Sequence, residues 1–188
     1  MSAQCVITEA SEAEAELLAS VIREAFADVA QRFGLTPENC PTHPSNCEPE
    51  WVSAAFARGV RYFLLQTPQG PAGCVALELV NADVCYLERL AVLPAFRRNG
   101  FGKALVNHVV DTARELGQQA IEIGTIAAQT ELRKWYESQG FVATSTRGFE
   151  RLPFEVTFMQ RALVGEATTP REESNREAEG DVRACGSV

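Results

Sequence analysis

No apolar run in the chain reaches the ~18 residues that a bilayer crossing needs. The amino end, MSAQCVITEASEAEAELL, lacks the basic stretch followed by an apolar block that marks a secretory signal, so a cytoplasmic protein is the expectation. Positive charge is in deficit: 17 Lys and Arg stand against 25 Asp and Glu, a net charge of -8. That balance argues against a general nucleic-acid surface, requires any anionic ligand to be held by a local device, and favours a cationic partner. Histidine is scarce, with His43 and His108 the two in the chain. Six cysteines are scattered at positions 5, 40, 47, 74, 85 and 185, and without an export signal they read as reduced thiols. There is no internal repeat.

With 46% hydrophobic and 22% charged residues, the composition suits one domain with a sizeable core. It changes near Gly165. Residues 165–188, GEATTPREESNREAEGDVRACGSV, hold six acids, three arginines and almost no large apolar side chain, and carry three of the eight net negative charges. Such a segment buries too little surface to offset its ordering entropy, so a folded domain over 1–164 and a disordered charged tail over 165–188 are expected.

Two hydrophobic periods alternate through the domain. A strand reads over 4–8. Ser11 with Glu14 three residues on is a capping box that opens a helix to about residue 30. Prolines 37, 41, 44 and 49 bar a regular element from RFGLTPENCPTHPSNCEPE. A short helix over 49–58 follows, then strands over 60–66, 73–80 and 84–93, turned at 67–71 and at Asn81-Ala82-Asp83, an antiparallel meander. The next helix sets Leu105, Val106, Val109, Val110, Ala113 and Leu116 on one face and stops at Gly117. A strand over 120–126, a helix over 129–139 closed by Gly140, and strands over 141–150 and 154–163 complete the pattern. The strand–helix–strand run from 84 to 126 implies a parallel pair with a right-handed crossover. The fold class is α/β, with a mixed, mostly antiparallel central sheet flanked by helices.

Residues 94–110, PAFRRNGFGKALVNHVV, put two glycines and three cations at the mouth of an amphipathic helix. A helix N-terminus carries free N–H groups and about half a positive charge. Glycines before it let the backbone come close to a ligand, so the stretch reads as a phosphate cradle with Arg97, Arg98 and Lys103 adding full charges. The plainer alternative is a tight turn with surface arginines. A P-loop pattern fails because Ala104 follows Gly102-Lys103, and a dinucleotide fingerprint fails because Leu105 holds its last position. What fits is Arg-x-x-Gly-x-Gly over 97–102, preceded by LERLAVLP.

In that form the chain resembles the bacterial members of the GNAT family of N-acetyltransferases. LERLAVLPAFRRNGFGKAL resembles the family's central strand and acyl-CoA pyrophosphate loop. AAQTELRKWYESQGF resembles its later helix, which ends in Tyr-x-x-x-Gly-Phe, and RGFERLPFEVTFMQRAL resembles the closing strands of one bacterial subgroup. The likeness covers residues 4–163, with the motifs in the family's order. It implies the acyl-CoA N-acyltransferase fold, whose parallel pair is splayed, and acetyl transfer from the cosubstrate acetyl-CoA to an amine of a small molecule, peptide or protein by direct attack in a ternary complex. It also implies that Arg97, Arg98, Asn99, Gly100, Phe101, Gly102 and Lys103 hold the pyrophosphate. The backbone of Leu90 and Val92 would pair with pantetheine beside a bulge, with an N–H near Val92 meeting the oxyanion. Gln129 stands where many relatives carry an Asn that contacts the pantetheine arm. Tyr136 matches the general acid, and a phenol of pKa about 10 suits a thiolate of pKa about 8.5. Glu88 is the candidate base, with Glu78 on the preceding strand in reserve. Family members are often homodimers.

Plainer readings stand beside these. Tyr136 forms a helical stripe with Leu132 and Trp135 that suits core packing. By strict alternation Glu88 shares a face with Tyr86 and Leu90, an apolar setting that raises a carboxyl pKa; otherwise it is a surface residue paired with a cation such as Arg89. Cys40, His43 and Cys47 supply three soft ligands at C-x2-H-x3-C spacing but no clear fourth, so a rigid loop with buried thiols and no metal is expected. The resemblance makes that loop a wall of the acceptor site, with Asn39, His43 and Asn46 as candidate contacts and His43 as a proton relay. His108 reads as structural. Two other functions fit the motifs: a non-catalytic acyl-CoA-binding regulatory module, and metal sensing through the Cys/His loop.

Overall fold

The computed structural model describes residues 5–163; the tail expected over 165–188 lies outside them. Seven strands form one sheet: β1 (Val6–Glu9), β2 (Arg61–Thr67), β3 (Gly70–Leu79), β4 (Val84–Val92), β5 (Ala120–Ile126), β6 (Val142–Gly148) and β7 (Glu155–Ala162). Their order is β1-β2-β3-β4-β5-β7-β6, and every neighbouring pair is antiparallel except β4 with β5. Helices α1 (Ala15–Phe33) and α2 (Pro49–Ala57) cover one face, α3 (Phe101–Glu115) and α4 (Thr130–Ser138) the other.

Local chemistry sets these boundaries. The Ser11 N–H donates to Glu14 Oε2 at 2.8 Å, closing the expected capping box on a 3-10 turn that leads into α1. That helix runs a turn past residue 30, because the stop is Gly34, at φ 61, where the Leu35 N–H bonds back to Ala30 O at 2.8 Å. Asn81 Oδ1 accepts from the N–H groups of Asp83 and Val84, both at 2.9 Å, and so turns β3 into β4. Strand β3 starts earlier than its proline suggested. A register shift beside Gln66, the partner of Pro71, admits the ring into the ladder.

Both sheet faces are packed. Leu18, Ile22 and Phe26 of α1 and Val52 of α2 lie on Leu64, Cys74, Ala76 and Ala91. Leu105, Val109 and Ala113 of α3 lie on Val75, Leu77, Leu87 and Ile121. A third cluster joins Val29, Ala30, Leu35 and Cys40 to Ile126, with Leu152 and Phe154 against it. It brings the Pro-rich loop and the β6–β7 connection together over the end of β5.

Two irregularities shape the middle of the sheet. Strands β4 and β5 pair only through Val84–Ala120, Cys85–Ile121 and Tyr86–Glu122, although β4 continues to Val92 and β5 to Ile126. The parallel pair therefore opens into a V. On the other side of β4, the partner of Cys74 is Ala91 but that of Ala76 is Glu88, so β4 carries one extra residue. This bulge centres on Arg89, which has φ 52.

Candidate active site

The open V is a sheet edge inside the sheet. The Leu93 N–H donates to Ala72 O at 2.9 Å, toward β3. A trans peptide sets C=O and N–H on opposite sides, so Val92 O points into the V. Ala91 O faces β3, where a Cβ on Gly73 would lie 2.4 Å from it, so the Val92 N–H also points into the V. Alternation gives the Leu90 carbonyl the same direction. The strand thus offers an extended ligand the backbone groups of Leu90 and Val92. Val92 O already accepts from Arg97 Nε at 3.2 Å.

At the mouth of the V the chain turns into α3. Arg98 has φ 64 and Gly100 φ 81, and the first bond of the helix runs from the Ala104 N–H to Gly100 O at 3.0 Å. The N–H groups of residues 98–103 all precede it. Left-handed residues in such a turn let successive N–H groups converge on an anion. Asn99 Nδ2 fixes the turn by donating to Phe96 O at 3.0 Å and Arg97 O at 3.2 Å. Gly102 packs against the other side of the V: a Cβ there would make ordinary contact with Trp135 Cζ2 at 3.4 Å and Val92 Cγ2 at 3.9 Å. Arg89 and Arg98 are the non-glycine residues of positive φ among those described, and they bracket the V. Strain kept at two such positions points to function.

Arg97 departs from expectation. Its guanidinium turns away from the turn to α1, donating through Nη1 to Asp28 Oδ2 and through Nη2 to Ala25 O at 2.7 Å. Hydrogen bonding to Arg97 holds the Asp28 carboxyl below its usual range. Arg97 anchors the loop, and the exposed side chains of Arg98 and Lys103 supply the outward charge.

The V also has a side wall. Tyr136 of α4 is fully buried in the cluster that holds Leu87, Leu90 and Phe101, and its ring meets Trp135 and Phe141 edge-on at 4.8 and 5.4 Å. Gln129, at the start of α4, is 6% exposed, and its Oε1 is buried without a hydrogen-bond partner. An orphaned acceptor costs about 1–3 kcal/mol. An amide N–H of an extended ligand would satisfy it, which fits a pantetheine arm.

Comparison with known proteins agrees. The acetyltransferase (GNAT) family matches over residues 17–141. The chain belongs to the GNAT acetyltransferase family. The [ribosomal protein bS18]-alanine N-acetyltransferase of Escherichia coli K12 is 31% identical over 100 residues, which cover 52% of this chain and 68% of that one. The PaiA N-acetyltransferase of Thermoplasma acidophilum, solved with coenzyme A, superposes with a TM-score of 0.71 at 16% identity, over 85% of this chain and 99% of that one. The ribosomal-protein-S18-alanine N-acetyltransferase from Escherichia coli gives 0.66 at 16% identity, over 89% and 99%. This GNAT protein is an acetyl-CoA-dependent N-acetyltransferase with an amine as acceptor.

On the α1–α2 face of this GNAT sheet, cross-strand pairs set Ala76 beside Glu88, and Glu78 beside Tyr86, whose other neighbour is Glu122. Glu88 does not share its face with Leu90. The extra residue at Arg89 breaks the alternation and sends Leu90 to the α3 side with Leu87. The two candidate bases, Glu88 and Glu78, therefore keep company with Tyr86 and Ala76.

The Pro-rich loop walls this face but uses its polar groups internally. Asn39 Oδ1 accepts from the Thr36 N–H at 2.8 Å, and its Nδ2 donates to Gly34 O at 2.9 Å. Asn46 Nδ2 donates to Cys40 O at 3.2 Å. His43 Nδ1 accepts from the Ser45 N–H at 3.2 Å, capping the 3-10 turn at Pro44–Asn46, and meets Ser45 Oγ at 2.8 Å. All three shape the wall. Among the described residues no group of three His, Cys, Asp or Glu is placed to hold a metal ion. Burial raises the pKa of the Cys40 and Cys47 thiols, which stay protonated. His108 is structural, its ring edge-on to Phe63 at 4.6 Å.

Burial, and then the Arg89 charge, push the His43 pKa from 6.5 down to about 4, so it is neutral at pH 7. Below pH 6.5 the unfolded chain takes up a proton that the folded one refuses. The stability linked to His43 is thus complete above pH 6.5 and is lost as the pH falls toward 4, on the order of 3 kcal/mol in all. Asparagine can keep the cap without titrating. Urea unfolding between pH 7.5 and 4.5 should show a shallower loss for His43→Asn than for wild type; parallel losses would remove His43 from this account.

Proposed function

We propose that the protein acetylates a primary amine of a small molecule, peptide or protein by direct attack on bound acetyl-CoA in a ternary complex. The observation that carries this reading is the V itself. It opens beyond Tyr86, takes in the Val92 N–H, and ends at the free amides of residues 98–103. Those amides suit the diphosphate, the backbone of Leu90 and Val92 the pantetheine, and Gln129 Oε1 one of its amides. Glu88, directly or through water and with Glu78 behind it, takes the proton of the attacking ammonium. The amine nitrogen then adds to the thioester carbon. The Val92 N–H stabilises the developing oxyanion. As the C–S bond breaks, the Tyr136 hydroxyl gives its proton to the thiolate.

The E. coli relative that acetylates an alanine of a ribosomal protein supports a peptide amine as one acceptor class. The acetyltransferase domain covers residues 1–164, and reduced, buried thiols suit work in the cytoplasm. Calorimetry with coenzyme A and thiol release from acetyl-CoA across a panel of amines test the reading. Gln129→Leu should raise the acetyl-CoA KM about 3- to 10-fold with little change in kcat. Wild-type protein that takes up no coenzyme A would exclude the proposal.

A further inference from the structure

The bulge residue Arg89 is foreign to the simplest picture of this site. Its backbone has φ 52, and its side chain is half-buried, with Nη1 buried and without a hydrogen-bond partner. Its charge is felt by His43 and Cys47 in the Pro-rich loop, by Tyr62 on β2 and by Cys74 on β3. The guanidinium is therefore within electrostatic reach of that loop and of the sheet face that carries Tyr62, Cys74 and Glu88. His43, Cys47, Tyr62 and Cys74 are neutral at pH 7. A buried cationic donor without a partner is costly, and a carboxylate is the ligand that a guanidinium matches best, two N–H groups to two oxygens. Glu88 and Arg89 are adjacent in β4, and the Glu88 charge also reaches Tyr62. One stretch of β4 thus offers a carboxylate for an ammonium and a guanidinium for a carboxylate.

We propose that Arg89 binds a carboxylate of the acceptor, so that the enzyme acetylates amines which also carry a carboxylate, of the amino-acid and short-peptide class. The proposal rests on the acetyltransferase reading above and reverses the expectation from net charge. An overall field of -8 favours a plain polycation, whereas the local cation at the bulge selects for an anionic group and rejects a plain polyamine.

Product analogues test this. N-acetyl amino acids and the matching N-acetylamines that lack the carboxylate are titrated calorimetrically onto the coenzyme A complex. In the wild type the best carboxylated member should bind about 10- to 100-fold more tightly than its partner. Arg89→Gln should remove the gap and leave coenzyme A affinity unchanged. Arg89→Lys should restore only part of it, because an ammonium lacks the planar fork. Equal affinities in the wild type, no binding by either series, or a gap that survives Arg89→Gln would each overturn the proposal. The wild-type comparison decides alone if the variants do not fold. Failure to bind coenzyme A at all is a separate result: it strikes the acetyltransferase reading and takes this proposal with it.

Discussion

Gly73→Ala is expected to cost about 1–3 kcal/mol of stability and to lower acetyl transfer about 100-fold. A methyl group at Gly73 would meet Ala91 O at 2.4 Å and Val92 Cα at 3.3 Å. Both are backbone atoms, so no rotamer change relieves the contact. The strand must move instead, and β4 can move only away from β3, into the V. That shift carries the Val92 N–H off the position from which it is proposed to meet the developing oxyanion. Stability and rate therefore fall together, by one displacement. Chemical denaturation gives the first quantity and steady-state thiol release the second. A Gly73→Ala protein with wild-type values for both would mean that Val92 is not held where the oxyanion forms. Gly100→Ala is the instructive contrast. No atom lies within 4 Å of a Cβ there, and the cost is that of a left-handed backbone, about 1 kcal/mol.

Tyr136→Phe is expected to reduce kcat about 100- to 10,000-fold, the range for losing a positioned acid, while the KM for acetyl-CoA changes little. The ring sits fully buried among Trp135, Phe141, Leu90 and Phe101. Phenylalanine keeps that packing and removes only the hydroxyl. Tyr136→Ala removes the packing too and should lose about 3–5 kcal/mol of stability. The pair separates the two roles that the sequence left side by side. If the phenylalanine variant turned over at the wild-type rate, Tyr136 would be a packing residue, and the thiolate would leave without help from it.

The parts of the molecule governed by local rules were readable in advance. The Ser11–Glu14 box, the Asn81 turn and strand β5 at Ala120–Ile126 follow from short-range hydrogen bonding and simple periodicity. The turn into α3 was legible because its glycines and cations are adjacent in sequence. What stayed hidden depends on partners far along the chain. Nothing in LERLAV distinguishes a bulge from a regular strand, so alternation set Leu90 on the wrong face and gave Arg89 no role beyond that of a surface partner. The pairing of Arg97 with Asp28 spans 69 residues. Gly73 reads as an ordinary strand glycine until Ala91 is placed opposite. Asn39, His43 and Asn46 were expected as acceptor contacts, and the hydrogen bonds they make to backbone groups of and beside their own loop could not be read from the sequence.

The Arg97 clasp fastens two distant stretches of the chain, the turn before α3 and the end of α1. The arginine leaves the Arg97–Gly102 turn and takes hold of Ala25 and Asp28, near the end of a helix that runs on into the Pro-rich loop. A shift of either the turn or the end of α1 therefore strains the same hydrogen bonds.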